Sequence, residues 1–556
     1  MSPLLSICAL SGEKFSISER EVEYCQKYNI PLPIWSPRER LKQLAVFRNR
    51  STLYHSICAL TKKKILSQMP PTTPQPVYDV SAWMSDEWDP KSYARPYDFR
   101  YAFFPQMLAL ARQVPLPNLA VVPQGMENSD YTNGITSAKN CYLLFGASFN
   151  EDCYFSRMLC NSKCVLDTIL ANDCELCYEC FNVHNCYNVQ FSENCHLCSD
   201  SAFLYGCQGC KNCFGCTNLK NAEYCLFNKR LSRAEYEKQR REIDLGSRAT
   251  VEREKVRFAA LLTDVPRKYY TGRNNEGSSG NFLNNTKNTH NSFFCSRTED
   301  VENSLWLTNA KDCFSTCCFG NNSELIYNSV TVGDESYNVR FCVDCWPSAR
   351  DLEYCMYVGQ GSSHCFGCVG LKHAQYCIFN KQYTQTEYFD LLPRIITHMK
   401  STGEYGKFFP APFYPFAYNI SEAGDFFPSS KESVLREGYT WEEEAPCEFS
   451  PSTDIPDNII DVQDSILAKT LICAKSGKPY RITKQELSFY RQNSLPIPRI
   501  APMVRLRQGS NLLELLPLSE VLCAKCSAGI SSMYHKSHRP LYCEECFQRE
   551  LVDGAQ

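Results

Sequence analysis

The sequence predicts a mainly β protein: two cysteine-rich, β-solenoid-like repeat regions, each closed by a helix, flanked by small α+β ribbon-like end modules. Three observations predict it. First, cysteines stand in ladders on multiples of three (Cys174, Cys177, Cys180, Cys186, Cys195, Cys198, Cys207, Cys210, Cys213, Cys216, Cys225), with 15 of the 34 cysteines in residues 141–225 and another 10 in residues 295–377. Second, the ladder is duplicated: Cys213, Cys216, Cys225, Phe227, Asn228, Lys229, Glu235 and Tyr236 recur 152 residues later as Cys365, Cys368, Cys377, Phe379, Asn380, Lys381, Glu387 and Tyr388. Third, the chain ends match at an offset of 465, Ile7-Cys8-Ala9, Ser11-Gly12, Glu21, Pro31, Pro33, Leu41 and Cys58 recurring as Ile472-Cys473-Ala474, Ser476-Gly477, Glu486, Pro496, Pro498, Leu506 and Cys523. Self-similarity at a fixed offset is the mark of stacked repeats.

The elements follow in chain order. At 556 residues a single core is too large, since cores stop growing near about 250–300 residues. Residues 1–125 form an N-terminal ribbon-like module, metal-free, with a helical extension; 126–245 a first ladder with its capping helix; 246–400 a linker and second ladder with its capping helix; 401–465 a Pro/aromatic strap and linker; 466–556 a C-terminal ribbon module. Each end module carries a helix start in which a hydroxyl caps the third following amide, Ser18 with Glu21 and Thr483 with Glu486. The ladders close the same way, at Ser232 with Glu235 and Thr384 with Glu387, because an open stack needs a terminal element over its last edge. Between the ladders, Asp244–Asn291 includes Gly277-Ser278-Ser279-Gly280 and is expected to be partly flexible. The Pro/aromatic run Tyr405–Asn419 is expected to pack as a strap on a surface.

Cysteine pairs 21 residues apart, such as 153 with 174 and 186 with 207, suggest a coil of about that length and about four coils per ladder. Equivalent positions would stack, one cysteine column would point inward, and asparagines would hold left-handed corners. The competing reading starts from the same spacing, because Cys-x-x-Cys also brings two thiolates to one metal. The uninterrupted series Cys207, Cys210, Cys213 and Cys216 is a candidate second metal site, for zinc or an iron–sulfur cluster, with His184 and His196 in the neighbouring coils. Thiol redox chemistry is a third reading of the ladder.

One metal site is sharper. Cys523-x-x-Cys526, then sixteen residues, then Cys543-x-x-Cys546 suits one tetrahedral zinc ion with four thiolates and a structural role. In the N-terminal copy Cys58 is kept, but Thr61, Asp79 and Ala82 take the other positions.

Charge is nearly balanced, 58 basic against 61 acidic residues, which excludes a wholesale polyanion binder and leaves local patches. One is Arg38, Arg40, Lys42, Arg48, Arg50, Lys62, Lys63 and Lys64 against Glu39, a candidate nucleic-acid patch. The N-terminus shows no basic stretch followed by an apolar run, so a cytoplasmic location is expected. Tyr101–Val122 is broken by Gln106, Arg112, Gln113, Pro115 and Pro117, so no membrane span of about 20 apolar residues is expected. No catalytic motif stands out and no small-molecule substrate is inferred. A polysaccharide-acting solenoid would need paired carboxylates in a groove, for which Asp344, Asp351 and Glu353 are the available residues.

The end-module segments CALSGEKF and CAKSGKPYRITKQELSFYR, with WMSDEWDP, CFGCVGLKHAQYCIFNKQYTQTEY and FFPAPFYPFAYNISEA, resemble an uncharacterised cysteine-rich family (zinc ribbon plus Cys repeat) of candidate-phyla-radiation bacteria. The resemblance implies layout rather than mechanism. It also implies further cysteines where this chain has Ser11, Ser36, Ser476 and Ala501. The expected function is a non-enzymatic binding or scaffold protein with one structural zinc ion, recognising a protein partner or, second, nucleic acid. The alternative is a metal- or redox-active protein whose ladder thiols hold iron–sulfur clusters or several zinc ions.

Overall fold

Residues 3–49, 51–443 and 455–553 are described by the structure, a computed structural model. It is a β-solenoid protein with helices packed on the outside of the coils. Parallel strands run through an 11-stranded sheet that begins at Thr132–Ile135 and a 13-stranded sheet that begins at Gly272–Arg273, each ending in one antiparallel strand, Lys229–Arg230 and Lys381–Gln382.

The coil is 12 residues, not 21. Tyr142 pairs with Tyr154, Arg157 with Ile169, Ile169 with Phe181, and Cys213 with Cys225. Every third residue from Asn182 to Asn194 has φ near +50°, so each coil is four sides of three residues. A triplet rule makes every multiple of three recur. Spacing 21 is one coil plus three sides and joins cysteines on different sides, which is why it misled. The second ladder widens to 13 residues, Tyr337 pairing with Arg350 and Arg350 with Ser363, before returning to 12 at Ser363 and Gln375.

The triplet explains the composition. The left-handed corner costs an ordinary L residue about 1–2 kcal/mol, and Asn and Asp pay least because they bond locally. Corner side chains also form ladders one coil apart: Asn188 Nδ2 donates to Asp200 Oδ1 at 3.1 Å, and Asn161 to Asp173 at 3.3 Å. The residue after each corner points inward. Those inward positions make one buried cluster per ladder, with cysteine, valine, leucine and alanine alternating along the columns. Where the corner residue is apolar instead, as at Phe155, Phe191 and Phe203, its ring leaves the coil and packs under outer elements in a separate core.

A helix follows each ladder, Arg233–Arg241 and Gln385–Ser401, and both capping boxes are made in both directions. The stretch expected to be flexible is ordered: it contains the helix Arg248–Leu262, and Gly280–Asn281 pairs with Ser292–Phe293 inside the second sheet. The Pro/aromatic strap packs as expected, with Phe408, Phe409, Phe413 and Phe416 buried.

The end segments cross over. Helices Glu19–Lys27 and Pro37–Ala45 lie on the second ladder, where Tyr24 stacks on Tyr327 at 5.1 Å. Helices Lys484–Gln492 and Pro502–Ser510 lie on the first, where Tyr490 meets Tyr178 at 5.9 Å. The matched end segments each carry one buried ion pair, Arg40 with Glu21 at 2.6 Å and Arg505 with Glu486 at 3.4 Å. Of the two expected end-module capping boxes, Thr483 with Glu486 is complete and only the Ser18 half of the other is present. Among the described residues no helix is long and apolar enough to cross a membrane.

Candidate functional site: a four-thiol knuckle and a buried charge cluster

The C-terminal thiols are placed by a hairpin, Ser519–Leu522 paired with Gly529–Ser532, and by the start of helix Glu544–Asp553. At the hairpin tip the Cys523 N–H donates to Ala528 O, and the Ser527 N–H returns to Cys523 O with Ser527 at φ +59°. This turn aims both knuckle thiols at the second pair. The four Sγ atoms of Cys523, Cys526, Cys543 and Cys546 all lie within 4.8 Å of one another, a group that can hold a metal ion.

Their protons are unevenly held. Burial raises the Cys523 thiol, but N–H groups of Cys543, Cys526 and Lys525 aimed at its sulfur outweigh this and leave it at about 6. Cys546 is pushed up to about 12 by burial and by the three neighbouring thiols. A cation would remove that conflict by taking all four as thiolates.

The same knuckle is built three more times. The Cys8, Cys58 and Cys473 N–H groups bond Glu13, Lys63 and Lys478 carbonyls, each five residues on, with Gly12, Lys62 and Gly477 at positive φ. Each sulfur accepts a backbone N–H from across the module: Ser36 to Cys8 at 3.2 Å, Asp79 to Cys58 at 3.2 Å, Ala501 to Cys473 at 3.3 Å, as Cys543 does to Cys523 at 3.3 Å. Burial raises these three thiols, but the hydroxyls of Ser11, Thr61 and Ser476 together with the backbone N–H groups hold them below their ordinary value. Ser11, Thr61 and Ser476 stand at the second position of the three knuckles, and Ser36, Asp79 and Ala501 at the third.

Cys207, Cys210, Cys213 and Cys216 are the four inward residues of one complete coil. All four are buried, but they are not within 4.8 Å of one another as a set; among the described residues the tetrad at Cys523 is the group that is. Their thiols bond backbone carbonyls and also one another: bonds from Cys198, Cys207 and Cys213 pull the Cys210 thiol down despite burial, and Cys213 does the same to Cys216. Cys207 Sγ donates to Cys216 O at 3.5 Å, Cys210 to Leu219 O at 3.4 Å, and Cys216 to Cys225 O at 3.4 Å. Ser and Thr do the same work elsewhere in the ladder, Ser156 Oγ donating to Tyr154 O at 2.8 Å while accepting from Thr168 N. Burial pushes the Cys195 and Cys207 thiols well up, and Cys295 and Cys313 to about 12, so these sulfurs stay protonated and weakly nucleophilic.

The basic patch does not form. Arg40 is spent on Glu21, Lys42 on Glu39 and Glu437, and Arg48 on Glu422, all buried or nearly so. Arg38 donates to Leu515 O at 2.7 Å. Arg50 lies outside the described residues. Lys62, Lys63 and Lys64 remain exposed on a hairpin turn. Sequence counts charge, whereas four of these side chains are committed to partners far along the chain.

A centre that the sequence does not announce lies where the ladders meet. Arg157, 1% exposed, pairs with Asp425 and, at 3.1 Å, with Glu422; Glu422 also accepts from Arg48 at 3.1 Å and from the Cys318 thiol at 3.4 Å. The ladders touch closely here, since a Cβ on Gly146 would lie 2.4 Å from the Trp306 ring. Asp344, one of the three carboxylates available to a polysaccharide-acting groove, lines a small cavity beside Arg48, Arg157 and Glu422. Burial raises its carboxyl to about 7 against the pull of Arg48 and hydrogen bonds from Trp346 and Thr331. Asp351 instead accepts from Asn338 at a corner, and Glu353 pairs with Arg340 at 2.6 Å.

No family model matches the chain, and no curated protein matches it. Solved structures include a similar chain, an assigned acetyltransferase from Desulfovibrio desulfuricans G20, 10% identical over 52% of this chain and 85% of that one, with a TM-score of 0.10. A likeness of that strength carries no argument about activity.

Proposed function

We propose that the protein is a non-enzymatic binding scaffold in which Cys523, Cys526, Cys543 and Cys546 hold one structural zinc ion in a zinc-ribbon-like end module. The observation that carries this is the tetrad's fit to the ion. Zinc–sulfur bonds of about 2.3 Å in a tetrahedron set sulfurs about 3.8 Å apart, and Cys526 Sγ stands 3.7 Å from Cys543 Sγ. Four thiolates leave no position for water, so the ion's role is to hold shape. What it would hold is the join to the second ladder, because Leu541–Tyr542 pairs in parallel with Arg267–Lys268 at that ladder's entrance.

A protein is the partner favoured by the surface, with nucleic acid second. The first hairpin exposes Leu4, Leu5 and Ile7, while the basic stretch that would have drawn a polyanion is consumed by internal ion pairs. The cluster reading of the ladders has less support, since the thiols of the Cys207–Cys216 coil are buried, bond backbone carbonyls, and do not converge as the four at Cys523 do.

Metal analysis of the full chain, purified without oxygen, tests the proposal. The expected result is about one zinc per chain, no iron, loss of zinc in Cys526→Ser and retention in Cys210→Ser. Several metals per chain, or iron with visible charge-transfer bands, would overturn it in favour of metal-bearing ladders.

A further inference from the structure

A groove of about 190 Å³ opens between the outer face of the first ladder, the first strands of the second, and helix Glu544–Asp553. Its lining is cationic. Lys220, Arg267, Lys268 and Arg273 face it, and the carboxylates in ion-pair reach are Glu193, 4.0 Å from Arg267, and Glu544, 2.5 Å from Lys268. Arg273, half-buried, has no side-chain hydrogen bond or ion pair with any described residue, and Lys220 bonds only the neutral Gln548.

His184 and His196, register neighbours on adjacent coils, form part of the same wall. His184 is pinned as a neutral imidazole, its Nε2 2.8 Å from Asn182 Oδ1. Burial, with the Arg273 guanidinium, holds His184 at about 3 and His196 at about 4. The groove therefore carries uncompensated positive potential with neutral hydrogen-bonding groups beside it. Buried polar atoms there also lack partners: His196 Nδ1, Arg267 Nε and Asn218 Oδ1. Unsatisfied buried groups in a native protein call for a ligand or water. The remaining wall is aromatic, with Tyr205, Tyr270, Phe282 and Phe547.

We propose that this groove binds one nucleotide unit, its phosphate taken by Arg273 and Lys220 and its base set against the aromatic and amide wall. The chemistry favours this class. Two unpaired cations suit a phosphate, the half-buried rings of Tyr270 and Phe547 offer a stacking surface open to any base, and the size admits a single unit. The site is separate from the scaffold reading and does not require the metal assignment, although the end module supplies Phe547 and Gln548.

Calorimetric titration of the full chain with 5′-AMP, adenosine and inorganic phosphate, and fluorescence anisotropy with labelled (rA)10, tests it. The expected result is that AMP binds more tightly than either fragment, that Arg273→Ala weakens it at least tenfold, and that Lys220→Gln weakens it several-fold. Arg273→Lys, which keeps the charge but loses the fork, should fall between. Binding of (rA)10 with the same sensitivity, and none of AMP, would also support the site and identify its source as a strand. Binding of phosphate as tight as AMP, or no binding at millimolar ligand, or binding indifferent to both substitutions in variants that keep the wild-type melting temperature, would overturn the proposal.

Discussion

Replacing Asp344 by asparagine should stabilise the protein, and increasingly so as pH rises. The carboxyl sits at about 7 in the folded chain against 3.8 for the free group. A raised folded value means that the native state binds the proton more tightly than the unfolded one. The stability this contributes is fully present below about pH 4 and is lost as pH rises through about 7, at about 1.4 kcal/mol per unit. Three units give an upper bound of about 4 kcal/mol. Asparagine imitates the protonated acid without the slope, and Arg48 keeps Glu422 as its partner. Weaker hydrogen bonds to Trp346 and Thr331 lower the variant equally at both pH values, so the gap between variant and wild type should widen by about 2–3 kcal/mol from pH 5 to pH 8. Urea unfolding midpoints of both proteins at the two pH values measure this directly. An unchanged gap, or a variant less stable at pH 8, would refute the reasoning.

Arg157→Ala takes from Asp425 its buried guanidinium while Glu422 keeps Arg48, and should cost about 3–5 kcal/mol, read as a fall in the urea midpoint that Asp425→Asn partly restores. Asn188, at φ +51°, separates corner geometry from side-chain bonding: Asn188→Ala should cost about 1–2 kcal/mol, Asn188→Gly less than half of that, in the same assay. Cys58→Ala leaves the Thr61 and Asp79 N–H groups, now 3.3 and 3.2 Å from sulfur, with no acceptor. It should cost about 1–3 kcal/mol, with amide exchange accelerated at those two residues, whereas Cys58→Ser should recover part of the loss.

What the sequence made legible was whatever repeats locally. The rule of three was visible in Cys174, Cys177 and Cys180, and the corner role of asparagine followed from its tolerance of left-handed backbone. The coil length was not, because cysteine recurs at many multiples of three; the 12-residue spacing of Cys174, Cys186, Cys198 and Cys210 was present alongside the spacing of 21 and carried no greater weight. Inward positions filled by Val189, Ser192 and Leu204 hide the rest of the columns from a reading keyed to sulfur. The centre around Arg157 had no local signature. Its acids come from residues 422 and 425 and its second arginine from residue 48, and nothing in a stretch of sequence marks two segments that meet only after the ladders form. The basic stretch failed for the same reason, since Glu21, Glu422 and Glu437 neutralise it from elsewhere.

The four knuckles show how packing and metal binding separate. In each, a backbone N–H from the far side of the module ends on the first cysteine's sulfur, at Ser36, Asp79, Ala501 and Cys543. That bond is a demand of the fold, because a buried N–H without an acceptor is costly, and it requires only one sulfur. The other positions need no sulfur: hydroxyls of Ser11, Thr61 and Ser476 stand at the second and bond the first cysteine's sulfur, and Ser36, Asp79 and Ala501 stand at the third. Cys8, Cys58 and Cys473 are thus accounted for as acceptors within the hairpin tip. The tetrad at Cys523 carries something more, since three further thiols converge there at a point where backbone hydrogen bonding asked for none. In the ladders the same residue type answers a third demand, a small inward side chain that can donate weakly to a carbonyl. Cysteine content alone therefore says little about metal in this chain; the test at each position is whether four sulfurs converge within reach of one ion.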